Sequence, residues 1–290
     1  MISPACERTG GFVAVIGLLL VAGGCAHLPA ENLTALGLQY RLQELTEPRP
    51  NRVHVLHVDL ADGKTRPAVV VGADPDGDGP AEAALTDPRT LAGDPSVLAF
   101  VNTNPWDSFP DAKGNKNHHW FEGQPVDIEG LAVSGGRVRS PDQDGRPSVW
   151  IDRSGRLRLG DGPDGAPVLE GMGGFQQIVR EGAVIASPGG AVHPRTAIGV
   201  GRDGSVMWLV VVDGRQEGYS EGMNVHELGR IMRELGCWHA VNMDGGGSTI
   251  MGMVAEDGRL RVVNSPSDRR NGKTNVRPLP MILTIRKTDS

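Results

Sequence analysis

The sequence predicts a mixed α/β fold of the α+β kind: one strand-rich domain with few helices, in a strand order that the chain leaves open. Three observations predict it. Glycine takes 41 of 290 positions, about twice the usual share of ~7%. The apolar runs are short and separated by Gly- and Pro-containing turn signals, which is the pattern of strands joined by tight turns. A helical apolar stripe is clear in one place only, near Asn224 to Leu235.

The elements follow in order. Val53 to Leu60 and Ala68 to Val71 read as the first strands, and Val97 to Val101 as a short buried one. Asp107 to Gln124 is polar and reads as a long loop over one face; it holds His118 and His119. Neighbours on an extended chain point opposite ways, so these two histidines are not expected to share a metal. Short strands are expected at 131–133, 148–152, 157–159, 175–179 and 183–185, with hairpin-type turns at Gly135-Gly136, Ser154-Gly155 and Glu181-Gly182. Thr196 to Val200 and Val206 to Val212 form a hairpin around Arg202-Asp203-Gly204. Asn224 can cap the helix, and Glu227 three positions on completes a capping-box pair. Val225, Leu228, Ile231, Met232 and Leu235 make its apolar stripe, and Gly236 ends it. Strands at 240–243, 248–254 and 281–285 close the chain. Asp74 to Gly79, D-P-D-G-D-G, has the look of a calcium loop, but Leu85 stands where the bidentate Glu belongs; a solvated acidic turn is expected.

The first 25 residues differ in kind. Gly11 to Ala22 is an uncharged apolar run of signal-peptide length, too short to span a membrane, and Gly23-Gly24-Cys25 follows it directly. Small residues before a cysteine resemble a bacterial lipobox. The expected organisation is a lipoprotein signal over 1–25, a tether over 26–51 that includes a short helix near Leu36 to Leu45, and a catalytic domain over 52–290. Cys25 would carry lipid and anchor an extracytoplasmic protein to a membrane. Cys237 is then the one cysteine left in the domain. It reads as a small buried hydrophobe.

Net charge is -6, which argues against nucleic acid as a partner because a phosphate backbone calls for a basic face. No segment demands a metal or an organic cofactor. Three segments place polar groups where a core pattern is expected: Pro194-Arg195-Thr196, Asp213-Gly214-Arg215-Gln216 after Val210-Val211-Val212, and Asn242-Met243-Asp244-Gly245-Gly246-Gly247-Ser248-Thr249. Carboxylates at the ends of buried strands are unfavourable unless paired or used. Arg195 and Arg215 are suitable partners. Three glycines let a backbone approach a ligand, and their successive N–H groups can form an anion nest.

Taken together, His193 to Gly199, Val211 to Arg215, Gly222-Met223 with the helix carrying Glu227-Leu228, and Asn242 to Ser248 resemble the phosphodiester glycosidase family. The family's Asn-Gly-Gly-aromatic motif is represented by Asn102-Thr103-Asn104-Pro105-Trp106, which keeps the asparagine and an aromatic but not the glycines. The resemblance implies hydrolysis of a sugar-1-phosphodiester, with a phosphorylated or anionic glycan as substrate and an association with exopolysaccharide. The residues suit that chemistry. Arg195, Arg215 and the amides of Gly245, Gly246 and Gly247, with Thr196 and Ser248, would surround the phosphate. Asp213 or Asp244 would serve near the sugar C1, their order being open. Asn102 and Asn242 would hold sugar hydroxyls or orient the aspartates. Trp106 would stack on the sugar or fill the core. Two other functions fit the same residues: an envelope polysaccharide glycosidase or transferase acting without a phosphodiester, and a non-catalytic carbohydrate-binding lipoprotein.

Overall fold

The computed structural model describes residues 32–288. The expectations for the apolar leader and for lipid on Cys25 lie outside the described residues. Among the described residues no helix is long and apolar enough to cross a membrane.

A seven-stranded sheet organises the chain, in the order Leu38–Leu45, Asn51–Asp59, Val206–Val212, Arg195–Val200, His239–Asn242, Gln176–Arg180, Ala183–Val184. Its pairs are antiparallel. The central strands are buried on both faces, which is why they read as continuous apolar runs. Alternate residues divide between two cores: Val53, Val55, Val210 and Val212 face one way, and Leu56, Val58, Leu209 and Val211 the other. The first face is covered by the Val225–Glu234 helix through Leu228 and Met232. Its capping box is formed as the sequence predicts: the Asn224 side chain accepts from the Glu227 amide at 2.9 Å, and Glu227 accepts from the Asn224 amide at 3.0 Å. The helix lies close because Gly199 leaves room; a Cβ there would sit 2.3 Å from the Cys237 sulfur.

The other face packs on two five-stranded sheets. One runs Leu260–Val262, Met251–Val254, Val97–Asn102, Met281–Lys287, Thr65–Val71; the other runs Leu157–Gly160, Ser148–Asp152, Val168–Gly173, Ala132–Ser134, Arg137–Ser140. Leu56, Ile198, Val211, Val101, Met251, Leu283, Val149 and Met172 belong to this shared core. A third cluster, with Phe100, Leu85, Ile250 and Trp106, covers the back of the Val97–Asn102 sheet. The architecture is the strand-rich mixed α/β class that the sequence predicts, with α-helix in the described residues confined to Pro88–Leu91 and Val225–Glu234.

Two expectations need correction. Residues 33–45 are not tether or helix: Leu33–Leu36 is a short 3-10 turn, and Leu38–Leu45 pairs with Asn51–Asp59 along its whole length. It is an edge strand with mostly exposed side chains, so its polar composition hides it. The expected strand over 248–254 begins only at Met251, because Gly246–Ser248 forms a 3-10 turn. The Asp74 carboxylate accepts from the amides of Asp76 and Gly77, as a solvated acidic turn would.

Candidate active site

In the antiparallel sheet the start of Arg195–Val200 lies beside the end of Val206–Val212 and the end of His239–Asn242. The three polar segments therefore converge on one sheet edge. Pro194 is their hub: its carbonyl accepts from the Gly246 amide at 3.0 Å. A Cβ on Gly214 would come within 2.7 Å of the Pro194 nitrogen, and one on Gly245 within 2.7 Å of the Pro194 carbonyl. Glycine at 214 and 245 is thus required by contact. Gly246 has φ 61°, a left-handed conformation that favours glycine.

Asn102 fastens this edge to the second sheet. Its Oδ1 accepts from the Thr196 hydroxyl at 2.6 Å and the Ile250 amide at 3.1 Å; its Nδ2 donates to the Asp244 carbonyl at 2.7 Å. Asn102 and Thr196 are both buried, and their hydrogen-bonding groups are spent on each other and on the backbone.

The two aspartates stand in different surroundings. Asp213 is fully buried with both oxygens occupied. Oδ1 accepts from Asn264 Nδ2 at 3.0 Å and the Ser265 amide at 2.9 Å; Oδ2 lies 3.2 Å from His54 Nε2 and 3.4 Å from the Tyr219 hydroxyl. The Tyr40 hydroxyl in turn sits 2.8 Å from His54 Nδ1. Asp244 is only partly buried, with some of its surface accessible. Removal of its carboxyl from water pushes its pKa up from 3.8 to about 6, opposed by the Ser248 hydroxyl, the Gly245 amide and Arg277 and reinforced by Glu129.

Arginines flank the glycine turn. Arg215, itself at φ 58°, places its guanidinium so that a Cβ on Gly246 would lie 3.0 Å from it. Arg195 donates to the carbonyls of Met223 and Ala191, both at 2.8 Å. Among the described residues neither Arg195 nor Arg215 has a salt bridge within 4 Å. Burial and the neighbouring Arg215 lower the Arg195 pKa, and burial with both arginines lowers that of His193, which stands 3.5 Å from Arg215. Arg277 reaches in from the far side: it pairs with Asp268 at 2.9 Å and donates to the Ser248 hydroxyl at 3.3 Å. A Cβ on Gly247 would fall 2.1 Å from both Arg277 and Asp268.

The structure brings together Asp244, Gly245, Gly246, Gly247, Ser248 and Arg215, with Arg195 beside them. Asn242 differs. It pairs with Ala197, whose side chain belongs to the helix-side core, so its side chain lies on that face of the sheet, away from the Asn102–Thr196 pair; its buried Oδ1 has no partner. Trp106 sits in the third core cluster at 9% exposure, edge-on to Trp120 at 5.6 Å, with little ring surface left for a sugar. His118 approaches Asp107 at 3.3 Å instead of a metal partner. Among the described residues no group of three or more His, Cys, Asp or Glu side chains converges as metal ligands would.

Sequence reasoning missed Arg277, Glu129, Asn264, His54 and both tyrosines. His193 stood inside a recognised segment without a role. Arg277 lies 33 positions beyond Asp244 in a stretch with no pattern, so only the fold reveals it.

No curated protein matches the chain. Among solved structures, the zebrafish N-acetylglucosamine-1-phosphodiester alpha-N-acetylglucosaminidase catalytic domain, auto-inhibited by its pro-peptide, superposes with TM-score 0.61 at 18% identity, covering 87% of this chain and 83% of that one. A Burkholderia pseudomallei protein described as exported gives TM-score 0.55 at 16% identity over 89% and 88% of the two chains. A hypothetical protein from Synechocystis gives 0.51 at 14% identity, over 87% of this chain and 62% of the other. At these identities the likeness is one of fold. The family description "phosphodiester glycosidase" matches residues 110–286, more than half of the sequence and every one of the three converging segments, and the chain belongs to the phosphodiester glycosidase family.

Proposed function

We propose that this protein hydrolyses the bond between a sugar and a phosphodiester in a cell-envelope or extracellular glycan. Water adds at C1, the C1–O bond breaks, and the products are a free sugar and a phosphomonoester. One observation carries the reading. Arg215 lies close enough to Arg195 to lower its proton affinity, neither has a carboxylate partner within 4 Å among the described residues, and the two flank a glycine turn beside a carboxyl whose pKa is about 6. Two neighbouring guanidiniums repel each other, and an anion held between them would relieve that repulsion. A phosphodiester supplies that anion, and guanidinium forks match its oxygens.

The roles divide by environment. Asp244 is the carboxylate for the reacting centre: near neutral pH it is mostly ionised, suited to stabilise positive charge at C1 or to take a proton from water. Asp213 has no free oxygen and acts as a positioning residue, holding the loop from Gly214 to Ser220 against Asn264 and Ser265. Phosphate is a good leaving group, so neutralisation by Arg215, Arg195 and Arg277 replaces much of the acid assistance that an alkyl glycoside needs.

The test is hydrolysis of a panel: N-acetylglucosamine-α-1-phosphodiester, other hexose-1-phosphodiesters, and the matching neutral p-nitrophenyl glycosides, each with and without EDTA. Turnover confined to phosphodiesters and lost in Asp244→Asn supports the reading. Turnover of neutral glycosides alone moves the function to a glycosidase without a phosphodiester, and no turnover of any member leaves the carbohydrate-binding role. We place the protein outside the cytoplasm, held to a membrane by lipid on Cys25. The apolar run and Gly23-Gly24-Cys25 support this, and it predicts incorporation of a labelled fatty acid that Cys25→Ser abolishes.

A further inference from the structure

A basic cavity lies at the end of the seven-stranded sheet opposite the candidate active site. The Arg195–Val200 strand starts at the candidate active site and ends at Val200, so the two places are about 17 Å apart along the strand. The cavity, about 460 Å³, is walled by Arg156, Arg158, Arg202, Trp150 and Trp238 and floored by Leu157 and Val200. That volume falls within the roughly 300–1,000 Å³ of small-molecule sites.

Its lining carries a small excess of positive charge, although Arg158 is paired with Asp152 and Arg156 acts on the Asp203 carboxylate. Three arginines and one carboxylate, Asp203, line it, in a chain whose net charge is -6. The Asp203 carboxylate already accepts from the Ser205 amide and hydroxyl at 3.0 and 2.8 Å. Nearby Asp152 accepts from the Ser154 and Arg156 amides, and faces Arg158 at 3.4 Å. Among the described residues neither Arg156 nor Arg202 has a salt bridge within 4 Å; the Arg202 guanidinium instead lies 4.3 Å over the Trp238 ring. The packing polarises the site further. Leu157 and Val200 are buried, while all three arginine side chains are on exposed residues. Guanidinium forks pair with carboxylates in two-point fashion, and an indole not covered by a cation, such as Trp150, beside an apolar floor suits the C–H face of a sugar ring.

We propose that this cavity is a second glycan-binding site, which takes a stretch of acidic polysaccharide bearing uronate-type carboxylates. It is independent of the catalytic reading, since none of its residues belongs to the Asp244 site. It would keep a polymer on the protein while the other end of the sheet works on a different point of the glycan.

The experiment is a titration of the full chain with oligogalacturonate, followed by calorimetry. The comparison ligands are a neutral oligosaccharide of equal length, inorganic phosphate, and a single-stranded oligonucleotide of equal charge. Each is repeated with Arg156→Glu/Arg202→Glu and with Arg215→Ala. The expected result is saturable oligogalacturonate binding, about tenfold or more tighter than the neutral oligomer. The double variant should weaken it by a similar factor with an unchanged circular dichroism spectrum and melting temperature, and Arg215→Ala should leave this binding intact. The proposal is overturned by any of four results: no oligogalacturonate binding; equal binding by the double variant; an oligonucleotide or phosphate binding as tightly as the uronate; or binding lost in Arg215→Ala alone, which would put the uronate at the candidate active site. Failure of the hydrolysis panel has no bearing on these outcomes.

Discussion

Replacing Asp244 by asparagine should make the protein more stable at high pH while removing its activity. The folded state raises the pKa of this carboxyl from 3.8 to about 6, chiefly through removal from water. It therefore holds a proton more tightly than the unfolded chain does. The favourable contribution of the protonated group is complete below pH 3.8, declines as pH rises through the interval up to about 6, and is gone above it. About two pH units of displacement correspond to about 3 kcal/mol. Its partial exposure lets water screen some of that, so a gain of about 1–3 kcal/mol is expected. Asparagine keeps the shape of the neutral acid and cannot ionise. Urea unfolding of the two proteins should give nearly equal stability at pH 4, and an advantage to Asp244→Asn that grows through pH 6 and is constant by pH 8. In the same variant, phosphodiester turnover should fall by about a hundredfold or more. Equal stability at both pH values, or an advantage confined to pH 4, would refute the claim that burial dominates this carboxyl.

Further predictions follow from other contacts. In the wild type, kcat/KM should fall below pH 6 as Asp244 takes up its proton, and Arg277→Ala should move that limb to higher pH, since Arg277 favours the ionised form; a pH–rate profile reads both. Asn102→Ala leaves the Thr196 hydroxyl, the Ile250 amide and the Asp244 carbonyl without a buried partner. A loss of about 3–5 kcal/mol is expected by denaturant unfolding. Gly252→Ala would press a Cβ to within 2.0 Å of the Phe100 ring, and should lower stability by about 1–3 kcal/mol. Burial pushes the Cys237 thiol well above its ordinary value, so a thiol reagent should label it only on unfolding.

How much of this was legible depends on what each residue touches. The central strands declare themselves because both faces are apolar, and the Val225–Glu234 helix because its cap and stripe are local. The glycine turn was readable since Gly245 to Gly247 stand in succession beside Asp244. Leu38–Leu45 was not, because an edge strand held by backbone bonds needs few apolar side chains. Asn102 was recognised as a site residue, but its partners lie far off in sequence, Thr196 in the seven-stranded sheet and Ile250 just before the strand that neighbours its own, so its role as a clamp is a tertiary fact. The same holds for Arg277 and Glu129, whose effect on Asp244 follows from convergence in space. The two readings of Trp106 turn on 9% exposure, which no pattern encodes.

The edge strand Leu38–Leu45 also gives the molecule a mechanical character. Its free end is at Leu38, opposite Val58, and its hairpin with Asn51–Asp59 closes only at Leu45. A pull on the preceding chain would first have to free Leu33 and Leu36 from the core and the Gly37 carbonyl from the Asp59 amide at 2.9 Å, and would then open the hairpin from this end, one pair at a time. The third pair to part is Tyr40 with Leu56, and Tyr40 is the residue whose hydroxyl meets His54 and, through it, Asp213. Tension applied at the N-terminal side would thus reach, through Tyr40 and His54, the aspartate whose carboxylate meets Asn264 and Ser265.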